Sequence, residues 1–166
     1  MLLQVLSLLL LLTTISTSAP AGSKHNIYLT RCEPDGCPIG ICDPGEFTLT
    51  AATLFRNGPV TPTTGSRVST PDAIGKLSGY NPGFEGSSTK SVRLGRDGTF
   101  SWNITTGSNK LTKGALVGDG ALGTEPFACF RDGSTKFAIR EDGDRYSCTA
   151  EYWCGSLDVS ALATAV

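Results

Sequence analysis

The sequence predicts an all-β fold: a single-domain, disulfide-stabilised antiparallel β-sandwich or barrel with short hairpins. Three observations predict it. Gly 20 and Pro 9 in 166 residues, with abundant Ser and Thr, suit short strands joined by tight turns. Apolar residues recur at period two between Asn-Gly and Asp-Gly dipeptides. Six cysteines stand in two trios toward the ends of the chain, as in a disulfide framework.

The chain opens MLLQVLSLLLLLTTISTSAPAG. The apolar run from Leu2 to Leu12, followed by small residues, reads as a secretory signal peptide over residues 1–21, cleaved after Ser18, Ala19 or Ala21. It departs from the usual pattern in having no Lys or Arg between Met1 and Leu12. The run is shorter than the roughly 20 apolar residues of a membrane helix, so the expected product is secreted and extracellular. Residues 22–155 are then the β domain and 156–166 a C-terminal tail. About 145 residues remain, enough for one domain with a sizeable core. Lys+Arg 14 against Asp+Glu 15 gives a net charge of -1 with no basic cluster, so neither a nucleic acid nor an anionic membrane is an expected partner.

Cys32, Cys37 and Cys42 form one trio and Cys129, Cys148 and Cys154 the other. Three thiols cannot all pair among themselves, so full oxidation requires at least one bridge between the trios. Such a bridge closes a loop of at least 87 residues, the separation of Cys42 from Cys129. On the chain-entropy model it contributes about 4–5 kcal/mol. The individual pairings stay open. Zinc is the rival use of these thiols, but the first trio lacks the C-x2-C spacing of structural zinc and an oxidising compartment favours bridges.

Glu46 to Arg56 places Phe47, Leu49, Ala51 and Phe55 on one face, a long strand ended by Asn57-Gly58-Pro59. The segment 59–91 is rich in Gly, Pro, Ser and Thr, with short strand candidates at Arg67 to Thr70 and Ala73 to Ser78. Ser91 to Leu94 and Thr99 to Thr105 flank Asp97-Gly98, a hairpin signal. Phe100, Trp102 and Ile104 then face inward and Asn103 outward. Asn103-Ile104-Thr105 is an N-glycosylation sequon on that outward face. Leu111 to Val117 is a further strand. The following GDGALG fits G-x-G-x-x-G, but Thr124-Glu125-Pro126 would stop the helix such a fingerprint needs, and a glycine-rich turn between strands is expected instead.

Phe127 to Arg131, Thr135 to Arg140 and Arg145 to Trp153 read as a three-stranded meander cornered by Asp132-Gly133 and Asp142-Gly143. Asp132, Glu141, Asp142 and Asp144 are then turn residues. An EF-hand-type calcium loop needs alternating oxygen ligands and a closing Glu about twelve residues on, which this stretch lacks. No metal or other cofactor is expected. The tail GSLDVSALATAV lacks the spacer and longer apolar stretch of a lipid-anchor signal.

The single histidine, His25, lies close to the expected mature terminus, and no G-x-S-x-G is present, so histidine-assisted nucleophilic catalysis is not expected. A copper site built on His25 would need cleavage after Lys24 and a second histidine. Paired carboxylates for sugar hydrolysis have no sequence signature among the fifteen acids. Tyr80, Trp102, Tyr152 and Trp153 are the candidates for stacking on a ligand. Trp102 is in phase with the core, and Tyr152 and Trp153, adjacent on one strand, point to opposite faces, so one of them is the exposed candidate. The possible binding surface is therefore Tyr80, Tyr152 and Trp153.

NIYLTRCEPDGCPIGICDPGEFTL near the start, with ACFRDGSTKF and RYSCTAEYWC near the end, resembles the small secreted cysteine-rich proteins of filamentous fungi, from which plant-colonising effectors and elicitors are drawn. The likeness is one of layout, covers the two ends of the mature chain and carries over no active-site residue. It implies a protease-resistant extracellular protein that meets a host or cell-wall surface. The expectation is a monomeric, non-enzymatic protein binding a host protein or cell-wall polysaccharide. A carbohydrate-binding module is the alternative, and a glycoside hydrolase with paired carboxylates the third reading.

Overall fold

The computed structural model describes residues 23–36, 47–60, 69–79 and 81–157. The predicted signal peptide, Cys37, Cys42, Arg67, Val68, Tyr80 and the tail beyond 157 lie outside them. The strands are β1 Asn26–Pro34, β2 Leu49–Phe55, β3 Ala73–Lys76, β4 Lys90–Arg93, β5 Thr99–Ile104, β6 Leu116–Leu122, β7 Glu125–Arg131, β8 Lys136–Glu141 and β9 Asp144–Ser156.

The strands pair in the order β3-β2-β1-β9-β7-β6-β5-β4, with β8 branching from β9. These ladders are all antiparallel. The two ends of this path nearly meet: a Cβ on Gly75 of β3 would lie 2.7 Å from the Arg93 carbonyl oxygen and 2.9 Å from Val92 Cγ2. The expected all-β fold is therefore a nearly closed barrel rather than a sandwich.

The lumen is filled by aromatic residues on alternate positions. Phe100, Trp102 and Ile104 of β5 are buried there as their period predicts, with Leu29, Leu54, Phe127 and Tyr152. Phe84, from the connection between β3 and β4, packs between Trp102 and Tyr152 at 6.4 and 6.2 Å between centroids. Its carbonyl accepts the indole hydrogen bond of Trp102 at 2.9 Å. Burying a ring of this size contributes about 1.5–3 kcal/mol.

A second cluster lies on the other face of β1 and β2. Tyr28, Phe55 and Phe137 meet edge to face at 5.6–5.8 Å, beside Cys32, Ile139 and Cys148. Burial pushes the Tyr28 hydroxyl up to about 12. β2 is consequently buried on both faces, with Ala52 and Leu54 inside the lumen and Leu49 and Phe55 outside it. The long strand expected from Glu46 begins instead at Leu49, and Phe47 is 42% exposed with φ 64.

β9 serves both clusters through a bulge. Leu29 faces Tyr152 while Thr30 faces Ala150, which leaves Glu151 as the extra residue. Tyr152 and Cys154 thus point into the lumen, whereas Ala150 and Cys148 point into the outer cluster. Along its free edge β9 pairs first with β8 and then with β7.

This corrects the expected meander. The β8–β9 hairpin is present, with Asp142 and Gly143 at φ 52 and 92 as a two-residue turn requires. β7, however, pairs with β6 and β9 and not with β8. The β4–β5 hairpin also forms, but through a 3-10 turn at Gly95–Asp97 rather than a tight Asp97-Gly98 turn. The expected strand 111–117 starts only at Leu116, and the glycine-rich GDGALG is mostly strand rather than turn. Gly118 and Gly120 are needed because a Cβ on Gly118 would fall 1.8 Å from the Asn103 carbonyl oxygen, and one on Gly120 2.8 Å from the Phe100 ring. β9 runs through Ser156, and Leu157 N–H still donates to Pro126 at 2.9 Å, so the ordered sheet passes the expected domain end at 155.

Two bridges are seen among the described residues. Cys32–Cys148 joins β1 to β9 and spans 116 residues, the link between trios that parity requires. Cys129–Cys154 joins β7 to β9 across 25 residues. Both fall on directly opposed positions of their ladders.

Candidate ligand-binding cleft

Beyond the bulge, β1, β9 and β8 form a three-stranded platform that leaves the barrel rim. One face carries the outer cluster, and the other continues the lumen-facing side of β1. The ladder registers line up two cross-strand rows on that second face. Arg31 of β1, Thr149 of β9 and Lys136 of β8 form one, and Glu33, Ser147 and Ala138 form the next. With Arg145 and Glu151 they line a cleft of about 510 Å³.

The charges are held in pairs except at two places. Arg31 donates through Nε to Glu151, through its terminal nitrogens to Asn81 Oδ1 and the Pro82 carbonyl, and lies 5.8 Å over the Phe84 ring. It therefore couples the cleft to the residue that plugs the lumen. Arg145 pairs with Asp35 at 2.9 Å, and Ser147 Oγ donates to the same carboxylate at 2.5 Å. Lys136 and Glu33 are exposed and have no ion-pair partner among the described residues. Cys32–Cys148 lies beneath the rows and fixes β1 to β9 covalently. The arrangement offers a cation, two hydroxyls and a carboxylate on a rigid floor.

Of the three aromatics expected at a binding surface, the described residues include Tyr152 and Trp153, which point to opposite faces of β9. Tyr152 is fully buried, and its hydroxyl donates to Glu85 Oε1. Burial, followed by that bond to a carboxylate, raises its pKa. Trp153 is half-buried, stacked on Phe130 at 5.5 Å with its indole N–H on Asn26 Oδ1 at 2.9 Å. The bulge decides which of the two enters the lumen: it turns Tyr152 inward and leaves Trp153 against the outer cluster. Tyr80 lies outside the described residues.

Asp132 and Asp142 occupy turns, while Glu141 and Asp144 are the paired end residues of β8 and β9. Asp132 Oδ1 accepts from Ser134 N at 3.1 Å and Thr135 N at 2.8 Å, and lies 3.2 Å from Lys113 Nζ. Burial opposes its ionisation, but the bonds from Thr135, Ser134 and Lys113 outweigh it and hold the carboxyl below the usual range. Lys76 Nζ meets Glu141 at 2.9 Å and Asp142 at 2.5 Å. Among the described residues no three His, Cys, Asp or Glu side chains are grouped to hold a metal ion. His25 Nδ1 lies 2.8 Å from both Glu125 oxygens. Asn103 is exposed, as its strand phase predicts.

Sequence reasoning passed over the cleft residues and Glu85. The signal for the former is visible in RYSCTAE, where Arg145, Ser147, Thr149 and Glu151 alternate with Tyr146, Cys148 and Ala150. Glu85 has no such pattern. It holds the loop at 107–109 by accepting from Gly107 N at 2.6 Å and Asn109 N at 2.8 Å. No helix among the described residues is long and apolar enough to cross a membrane, and the two bridges are compatible with an extracellular protein. Comparison with protein-family models, curated proteins and solved structures finds no match to this chain.

Proposed function

We propose that this is a secreted, non-enzymatic, effector- or elicitor-like protein that binds a host or cell-wall component outside the cell, and that the cleft on β1, β9 and β8 is its binding site. The observation that carries this reading is the pair of cross-strand rows, with Lys136 and Glu33 lacking an ion-pair partner among the described residues and with Thr149 and the Asp35-bonded Ser147 between them. A cation flanked by hydroxyls suits a ligand bearing carboxylate and hydroxyl groups, the chemistry of an acidic wall polysaccharide. For a carbohydrate module with an aromatic platform, Tyr152 is buried, which leaves the half-buried Trp153, stacked on Phe130, as the platform candidate among the described residues.

Retention of the purified protein on polygalacturonate, chitin, cellulose and glucan tests the reading. Binding to the acidic polymer is expected, about tenfold weaker in Lys136→Glu, with the melting temperature unchanged because this side chain is exposed. Equal retention of the variant, or none by the native protein on any polymer, would reject the site. Glu33 and Glu151 share the cleft, which favours a hydrolase as the second reading. Release of reducing ends by the native protein but not by Glu33→Gln would replace the binding reading with that one.

A further inference from the structure

Leu111 and Leu116 are 50% and 56% exposed, an unusual outlay of apolar surface on a barrel whose other large side chains are mostly buried. Both line a second cleft of about 600 Å³, whose wall includes Thr105 and Asp119. Asn103 is the cross-strand partner of Asp119, and Thr105 N–H donates to Val117 at 3.1 Å. Trp102 and Ile104 are each 1% exposed, so alternation turns Asn103 and Thr105 outward beside this cleft. Asn103-Ile104-Thr105 is also the chain's one N-x-Ser/Thr sequon.

We propose that Asn103 carries an N-linked glycan whose first sugars lie over Leu111 and Leu116. The C–H face of a pyranose ring is apolar, and the outward direction of Asn103 places the first rings along the β5–β6 surface that leads to the leucines. Attachment rests on passage through a eukaryotic secretory pathway, as the functional reading requires. The glycan is thus a fixed cover for a patch that the chain itself leaves bare.

The test expresses the protein in a eukaryotic secretion host behind that host's own leader, so that its outcome is independent of the native signal and of the ligand cleft. Intact mass should show one glycan, removed by peptide-N-glycosidase F. Asn103→Gln and Thr105→Ala should abolish it, and Thr105→Ser, which keeps the sequon, should retain it. A secreted native chain of unmodified mass would overturn the site. Enzymatic deglycosylation of the folded protein should raise binding of a hydrophobic dye several-fold, and should not do so in a Leu111→Ser, Leu116→Ser variant. Unchanged dye binding by the native chain after deglycosylation would overturn the covering role.

Discussion

The two halves of β9 make opposite uses of one strand. From Tyr152 to Ser156 it pairs with β1 and β7 as a stave of the barrel, and its Tyr152 and Cys154 side chains fill the lumen. From Asp144 to Ala150 it pairs with β1 and β8 in an open platform whose apolar side faces outward into the second cluster. The closed half gains stability from a ring of mutually packed aromatics. The open half has one covered face and one polar face, and only such an arrangement leaves side chains free to meet a ligand. The bulge at Glu151 exchanges the two environments within one residue.

Removing the bridges should separate the halves most strongly. Cys32→Ala with Cys148→Ala releases a 116-residue loop and should cost about 5 kcal/mol, against about 3.5 kcal/mol for the 25-residue loop of Cys129→Ala with Cys154→Ala. Denaturant midpoints of the two double variants measure the gap; equal midpoints would show that the platform is not what the longer bridge secures. Next in size, Phe84→Ala and Phe137→Ala should each cost about 3–5 kcal/mol. They differ in locality. Phe137→Ala should speed amide exchange in β8 and the 144–150 half of β9, and Phe84→Ala in β5 and the 152–156 half, so identical exchange patterns would dissolve the distinction.

The smallest effect concerns Asp132, which closes the link from β7 to β8. Its folded pKa lies below the usual value, so its stabilisation is complete above the unfolded-state pKa of about 4 and is lost as pH falls through the folded one. Asp132→Asn should therefore cost about 1–3 kcal/mol at neutral pH and flatten the acid limb of a stability–pH curve. An acid limb as steep as that of the native protein would assign the pH dependence elsewhere.

Local chemistry made part of this architecture legible. Asp142-Gly143 announces its hairpin because few other residues accept positive φ at two successive positions, and the inward phase of Phe100, Trp102 and Ile104 needs only their own spacing. The odd trios forced a bridge between the ends of the chain, and Cys32–Cys148 is one. The bulge was illegible because the alternation in RYSCTAEY passes through Glu151 unbroken, so Tyr152 seemed as available as Trp153. What displaces it is the register with Leu29, more than a hundred residues away in sequence. GDGALG misled for a similar reason, since the crowding that demands Gly118 and Gly120 comes from β5. Phe84 sits among Gly and Pro with no period to mark it, and only the finished lumen gives it a place. The cleft residues were readable as a polar alternation, but which side they share depends on how β1 and β8 flank β9.

The near-contact of β3 with β4 at Gly75 also bears on how the protein survives at high concentration. Unpaired peptide groups along a sheet margin recruit other chains, and here the two margins are short and turned toward each other. The outer margin of β8 is occupied in part by Ser69, whose N–H reaches the Ala138 carbonyl at 2.7 Å. A side chain at position 75 would wedge the seam apart, and fibril growth in a Gly75→Val variant is where that protection would be seen to fail.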